Sequence, residues 1–325
     1  MVVTFYQLLD LNPYREEKVD EEALMEMIKS DPSKVKLKYR FDAFDEDNLY
    51  PLHMVCALGA SVDCVKACYK AHPEAMEHVN TEIGGPVHYA CAFGASVEVV
   101  HYLAKKLPQS LETPNDKNKQ TPLHLACQQS TLDSDVVIFL TERCAKAAEM
   151  TDSDGRTPLH LACLHDEPNL NIIEDLTEVN AAAGVVKALD GSWPLWSATR
   201  HNVDIAIIKD LIVSNPQCCS LQKKDSTILH RAIELELFTS SILKDMIKAH
   251  PAVLEARDSE DRIPLHYAIE CDAPFPIIEL FVLRRPETVD MQNSKGEIPH
   301  KLAERLGRHE DTVEFLNPFE EEPTN

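Results

Sequence analysis

The sequence predicts an all-α solenoid of repeated helix pairs, on three observations. A phrase of the form Pro-Leu-His-x-Ala recurs along the 325 residues, anchored at Pro51, Pro86, Pro122, Pro158, Pro194, Pro264 and Pro299, with Ile228 in the equivalent place, at intervals of 34 to 36 residues. A period in that range belongs to stacked repeat arrays. A second column of prolines, Pro73, Pro108, Pro216, Pro251 and Pro286, punctuates the same units further on, where a helix interior cannot continue. Between the two columns apolar residues fall at helical spacing, as with Ile172, Ile173 and Leu176. Each unit of such an array packs only on its neighbours, so one elongated, curved domain accommodates the whole chain, at about 8–10 Å per layer and roughly 70 Å in length.

The elements follow in order. Met27-Ile28-Lys29-Ser30-Asp31-Pro32 matches Met246-Ile247-Lys248-Ala249-His250-Pro251. Residues from about Asp20 to Val35 therefore read as an outer helix, and 1–48 as a capping half-repeat with a long loop from Val35 to Pro51. Eight units occupy 49–316. In the best formed of them, Asp154-Gly155 makes a tight turn, Thr157 caps, and Pro158 takes the first helical position, where its missing N–H has no partner to lose. Gly191 and Gly296 hold the place of Gly155, while Gly59, Gly94 and Gly307 each lie eight residues beyond an anchor and separate the paired helices. Glu310 to Leu316 reads as a shortened outer helix, and 317–325 as an acidic, disordered tail.

Composition narrows the function. A hydrophobic content of 44% and a mean hydropathy of −0.25, with no apolar run near 18 residues, point away from a disordered chain and from a membrane span. The first ten residues carry no basic leader and meet Asp10 too early for a secretory segment, so an intracellular protein, cytoplasmic or nuclear, is expected. Thirty-two basic against 54 acidic residues leave a net charge of −22, which repels nucleic acid and anionic membranes and suits solubility or a basic partner.

The run Asp-x-x-Gly-x-Thr-Pro-Leu-His-x-Ala is met almost in full by Asp152 to Ala162 and in part by the other units, from about Asp45 to Leu316. In motif and period together the chain resembles the ankyrin-repeat proteins. The resemblance implies an ankyrin-repeat solenoid of helix-turn-helix units joined by short β-hairpin-like turns. It also implies non-catalytic protein binding, as a scaffold, adaptor or regulatory subunit; a regulatory or substrate-recognition subunit of a separate enzyme complex is the alternative. Departures from the motif are Tyr50, Gly85, Trp193, Ile263 and Ile298 at the threonine place, and Trp196 and Lys301 at the histidine place.

Residues that suggest chemistry have structural readings. His53, His88, His124, His160, His230 and His266 share the motif column, but layers about 8–10 Å apart cannot ligate one ion at roughly 2 Å. The resemblance implies that these rings bond the hairpin to the helix start. Cys56, Cys91, Cys127 and Cys163 form a parallel column, too widely spaced for disulfides, and are expected as free buried thiols. Cys64, Cys68 and His72 share a helix face with the zinc-ligand types, yet Val99, Leu103 and Leu107 hold the equivalent places in the next unit, so core packing is expected. No nucleophile elbow, Walker loop or dinucleotide fingerprint occurs. No cofactor, metal or catalysis is expected, and the chain is expected to be a monomer that binds another protein.

The resemblance places recognition on a concave side, at hairpin tips and at inner-helix residues six and seven places after each anchor. Two patches result. Leu49, Leu58 and Phe93 make an apolar landing site for a partner, unless Phe5, Tyr6, Leu8 and Leu9, or Phe41 and Phe44, fold back over it. Arg156, His165, Arg200, His201 and Arg231, with Trp196, make a basic stretch that either takes an acidic partner or is balanced by nearby acid.

Overall fold

A computed structural model of the protein describes all residues except 1–3, 16, 45–47, 130–132, 166–167, 200–203, 225, 237–239 and 318–325. The chain divides into two compact units, Met1–Ala183 and Gly184–Asn325. Each is a stack of short helix pairs, and the fold is all-α, as its sequence predicts.

The first unit opens with α1 (Phe5–Leu9) and α2 (Glu21–Ser30). Four pairs follow: α3 (Pro51–Ala57) with α4 (Val62–Ala71), α5 (Pro86–Ala92) with α6 (Val97–Lys106), α7 (Pro122–Cys127) with α8 (Ser134–Arg143), and α9 (Pro158–Leu164) with α10 (Leu170–Val179). The inner helices α1, α3, α5, α7 and α9 pack in succession, and so do the outer helices α2, α4, α6, α8 and α10. The second unit holds α11 (Pro194–Ala198) with α12 (Ile205–Ser214), α13 (Ile228–Glu234) with α14 (Ser240–Ala249), α15 (Pro264–Glu270) with α16 (Phe275–Arg284), and α17 (Pro299–Leu306) with α18 (Glu310–Leu316).

Helices of five to eight residues are too short to stand alone in water, so burial maintains them. All seven residues of α3 are buried, with Leu52, Met54 and Val55 fully so. Each such side chain contributes about 1.5–3 kcal/mol of transfer free energy. Inner helices are buried on both sides because a neighbour lies in front and behind, which explains why small Ala and Cys recur in them.

At their exits outer helices such as α4 and α6 kink at one residue, His72 at φ −150° or Leu107 at φ −139°, and continue as a 3-10 turn that begins with the second-column proline. Ala145–Ala148 forms the same turn after Cys144 with no proline, so the proline favours this exit without being necessary for it. The outer helix α2 has beside it α1, whose Thr4 and Gln7 cap each other reciprocally and whose Phe5, Leu8 and Leu9 are buried. Glu21 of α2 in turn accepts hydrogen bonds from the N–H of Ser61 at 2.7 Å and from the Ser61 hydroxyl, tying the cap to the start of α4.

Hairpins join the pairs. Two are regular antiparallel ladders: β1 (Tyr39–Arg40) against β2 (Asn48–Leu49), and β3 (Gln222–Lys223) against β4 (Ser226–Thr227). Others close on two backbone bonds: Asp152 N–H to the Arg156 carbonyl at 2.8 Å with Gly155 N–H to the Asp152 carbonyl at 3.0 Å, and Asp258 N–H to the Arg262 carbonyl at 3.0 Å with Asp261 N–H to the Asp258 carbonyl at 3.1 Å. An Asp or Asn at the first position gathers the turn by accepting two backbone N–H bonds; Asp258 accepts from Glu260 at 2.9 Å and Arg262 at 2.8 Å. The tip residue is left-handed: Gly155 has φ 74°, and Lys119 and Asp261 adopt the same conformation at 57° and 56°.

Candidate interaction surface

The histidine column is the internal frame of the surface. In His88, His124, His160, His230 and His266 the ring Nδ1 accepts the backbone N–H of the residue before the anchor, at 3.1 to 3.3 Å. That bond fixes the proton on Nε2. His88 Nε2 then donates to the Thr113 carbonyl at 2.8 Å, His124 to Arg156 at 3.1 Å, His230 to Arg262 at 3.2 Å and His266 to Glu297 at 3.1 Å. The acceptor in each case belongs to the following repeat. The rings therefore join one helix start to the next hairpin, rather than closing the hairpin of their own repeat. His53 donates likewise to the His78 carbonyl at 2.9 Å, but its Nδ1 has no hydrogen-bond partner among the described residues.

Burial pushes these imidazoles far below their usual pKa, to about 3 for His53 and about 4 for His88, His124 and His230. They are neutral spacers at physiological pH. All ten cysteines are free, and all but Cys271 are buried; desolvation raises the Cys64 thiol to about 11 and Cys68 to about 12, so neither is a thiolate. Among the described residues no group of three or more His, Cys, Asp or Glu side chains is arranged to hold a metal ion.

On the inner face of the first unit, the ends of α3, α5 and α7 line a cavity of about 580 Å³. Its walls include Leu58, Gly59, Phe93, Gly94 and Gln129, and Tyr14, Glu17 and Lys18 cross over it. Of the positions six and seven places after Pro51, Pro86 and Pro122, five are thus brought to one concavity, Ala57, Leu58, Ala92, Phe93 and Gln129; Gln128 is not in its lining. The crossing segment is folded around Asn12, whose side chain accepts the Tyr14 N–H at 2.9 Å and whose own N–H goes to Glu17 at 2.8 Å. Tyr14 meets Phe93 edge-on at 4.9 Å, and Phe44 meets both Phe93 at 5.9 Å and Tyr89 at 5.3 Å.

Of the apolar trio predicted here, Leu49 is fully buried in β2, and Leu58 is 5% exposed, so neither presents an open face. Phe93 is half-buried, beneath Tyr14 and Phe44. Tyr14 itself, 66% exposed, carries the largest accessible ring at this place. The sequence reading missed it because a single tyrosine in an acidic stretch has no periodic signal; the only cue is Pro13 beside it.

The basic residues are divided between the units. In the first, Arg156 pairs with Asp152 at 3.1 Å and with Asp154, and His165 donates from Nε2 to the Gln129 carbonyl at 2.7 Å. Their charge and polarity serve the hairpin and the neighbouring repeat. In the second, the Arg231 guanidinium lies 5.9 Å from the Trp196 ring and pairs with Glu234 at 2.9 Å, and Lys223 Nζ also lies 5.9 Å from Trp196. Trp196 and Arg231 are therefore neighbours, Trp193 packs fully buried behind them at 5.2 Å, and Arg200 and His201 lie outside the described residues.

Comparison with known proteins agrees with this geometry over part of the chain. Residues 87–188 match the family model described as ankyrin repeats, in three copies. No curated protein matches the chain. Among solved structures, one similar chain comes from the Bd0816 predatory endopeptidase of Bdellovibrio bacteriovorus in complex with immunity protein Bd3460. Identity is 18%, over 60% of this chain and 95% of that one, with a TM-score of 0.47. The matched residues span α6 to α10 and most of α5; a bridging histidine precedes them at His53, and a capped helix start, bridging histidine and left-handed hairpin tip recur after them. Residues 87–188 of the chain are ankyrin repeats.

Proposed function

We propose that the protein is a non-catalytic interaction module that holds a partner protein on the inner-helix face of its first unit. The observation that carries this reading is the cavity of about 580 Å³ at the ends of α3, α5 and α7, roofed by Tyr14 and Lys18. Its floor belongs to rigid, fully packed helices, so little ordering accompanies binding, and affinity is not lost to loop immobilisation. Exposed aromatic area beside Phe93 supplies an anchor of the type that concentrates binding energy. The acidic balance of −22 favours a partner with basic residues around that anchor. No helix among the described residues is long and apolar enough to cross a membrane.

The test is quantitative co-purification from native extract with the wild-type protein and with Tyr14→Ala/Gln128→Arg, which alters the roof and the exposed inner-helix end that accepts a hydrogen bond from Gln120 at 3.1 Å. A protein retained by wild type and depleted at least tenfold by the variant supports the reading. Equal retention by both places recognition elsewhere. If the co-purified protein is an enzyme whose activity changes in the complex, the regulatory-subunit alternative is favoured over a passive scaffold.

A further inference from the structure

The outer helices of the first unit carry a second concavity that the ankyrin architecture does not explain. Between α6 and α8 lies a cavity of about 450 Å³, lined by His101, Lys105, Pro108, Leu111, Phe139 and Arg143. One wall is aromatic: His101 stands edge-on to Phe139 at 5.2 Å, and the Arg143 guanidinium lies 5.8 Å from the Phe139 ring. The aromatic and cationic character continues along α6 and α4, where Lys106 lies over Tyr69 at 4.9 Å and over Tyr102 at 5.5 Å, the two rings meeting edge-on at 5.8 Å.

In a chain of net charge −22, Arg156, Arg231, Arg262, Arg285, Arg305 and Arg308 each form an ion pair with a carboxylate. Among the described residues His101, Lys105 and Arg143 form none, although Glu142 is next to Arg143 in sequence, and all three are exposed at the rim of the cavity. Lys105 and Arg143, two cations without an ion pair around a floor of Pro108, Leu111 and Phe139, fit a ligand that is anionic on one side and apolar on the other. The apolar floor disfavours a bare phosphate, and the acidic surround disfavours nucleic acid.

We propose that this cleft docks an acidic peptide segment of a partner protein, its carboxylates at Lys105 and Arg143 and an apolar side chain against Phe139. The site is independent of the inner face. A fluorescein-labelled peptide Glu-Glu-Phe-Glu-Glu, titrated with the full chain and followed by fluorescence anisotropy at low salt, tests it. Saturable binding is expected, weakened at least tenfold by Lys105→Glu/Arg143→Glu and weakened to a smaller extent by Lys105→Gln/Arg143→Gln, which introduces no repulsion should the first variant fold poorly. Lys244→Glu/Lys248→Glu on α14 makes the same change in net charge and should leave Kd within twofold, as should Tyr14→Ala on the inner face. No saturable binding overturns the proposal, as does equal weakening by the two charge-reversed variants or equal binding of a Gln-Gln-Phe-Gln-Gln peptide.

Discussion

Lowering the pH from 7 to 5 should destabilise the protein steeply, because its repeats are joined through imidazoles that must remain neutral. His53 titrates near 3 and His88 and His124 near 4 in the folded chain, against 6.5 for an accessible ring, burial being the largest cause. Between those values the unfolded chain binds more protons than the folded one, so stability is complete above pH 6.5 and falls as the pH drops toward 4. Each pH unit removes about 1.4 kcal/mol per ring. At pH 5 that is about 2 kcal/mol per ring and about 6 for His53, His88 and His124 together, comparable with the roughly 5–15 kcal/mol total stability of an ordinary domain. Urea melts followed by far-ultraviolet circular dichroism at pH 7.5, 6.5, 5.5 and 5.0 read this directly. The midpoint should fall at each step, before most carboxylates titrate. His124→Gln sharpens the test, since its amide offers a hydrogen to the Arg156 carbonyl but cannot be protonated in this range. It should be less stable at pH 7.5 by about 1–3 kcal/mol, with a shallower pH dependence. An unchanged midpoint from pH 7.5 to 5.0, or an unaltered slope in the variant, would refute the reasoning.

Three further outcomes are expected. Lys119 is held at φ 57° on a hairpin tip where other repeats have glycine, so Lys119→Gly should raise stability by about 1 kcal/mol in thermal or urea unfolding. Asp258 accepts two backbone N–H bonds and pairs with Arg262 at 2.7 Å, so Asp258→Ala should cost about 2–4 kcal/mol and loosen hydrogen-exchange protection in the hairpin of 258–262. Thiol labelling of the folded protein at pH 8 should reach Cys271 first, with the nine buried cysteines reacting only on unfolding.

Much of the fold was legible because its determinants are local and repeated. A proline at the first helical position, a bridging histidine and a small buried cysteine recur at one spacing, and each has a steric or hydrogen-bonding reason to occupy its place. Glu236 and Asp272 show the limit of such reading: both adopt the left-handed conformation that Gly59, Gly94 and Gly307 take after the inner helix, with φ 55° and 54°, because packing overrides the local preference. The pairing of a histidine ring with the following repeat was invisible for a related reason, since the acceptor is a backbone carbonyl without a sequence signature.

The candidate site was less legible. In the first three repeats Ala57, Leu58, Ala92, Phe93 and Gln129, six or seven places after an anchor, line the inner concavity, but the aperiodic segment that roofs it, and Tyr14 within it, could not be placed from spacing. The apolar trio was expected either as a landing site or as a surface covered by the chain's own aromatic residues; Leu49 and Leu58 are buried, and Phe44 lies against Phe93. Arg156 has the appearance of a binding residue in sequence and pairs with its own hairpin in the structure, because the Asp that shapes the turn is four residues away.

Site-specific photo-cross-linking tests the central claim most directly. Benzoylphenylalanine in place of Tyr14, at the roof of the inner cavity, is compared in native extract with the same group in place of Leu283, which is 67% exposed on α16. The account predicts a discrete protein adduct at position 14 that Gln128→Arg suppresses, and none at position 283. An adduct of equal yield at 283, or none at 14 while the protein still co-purifies with its partner, would contradict it.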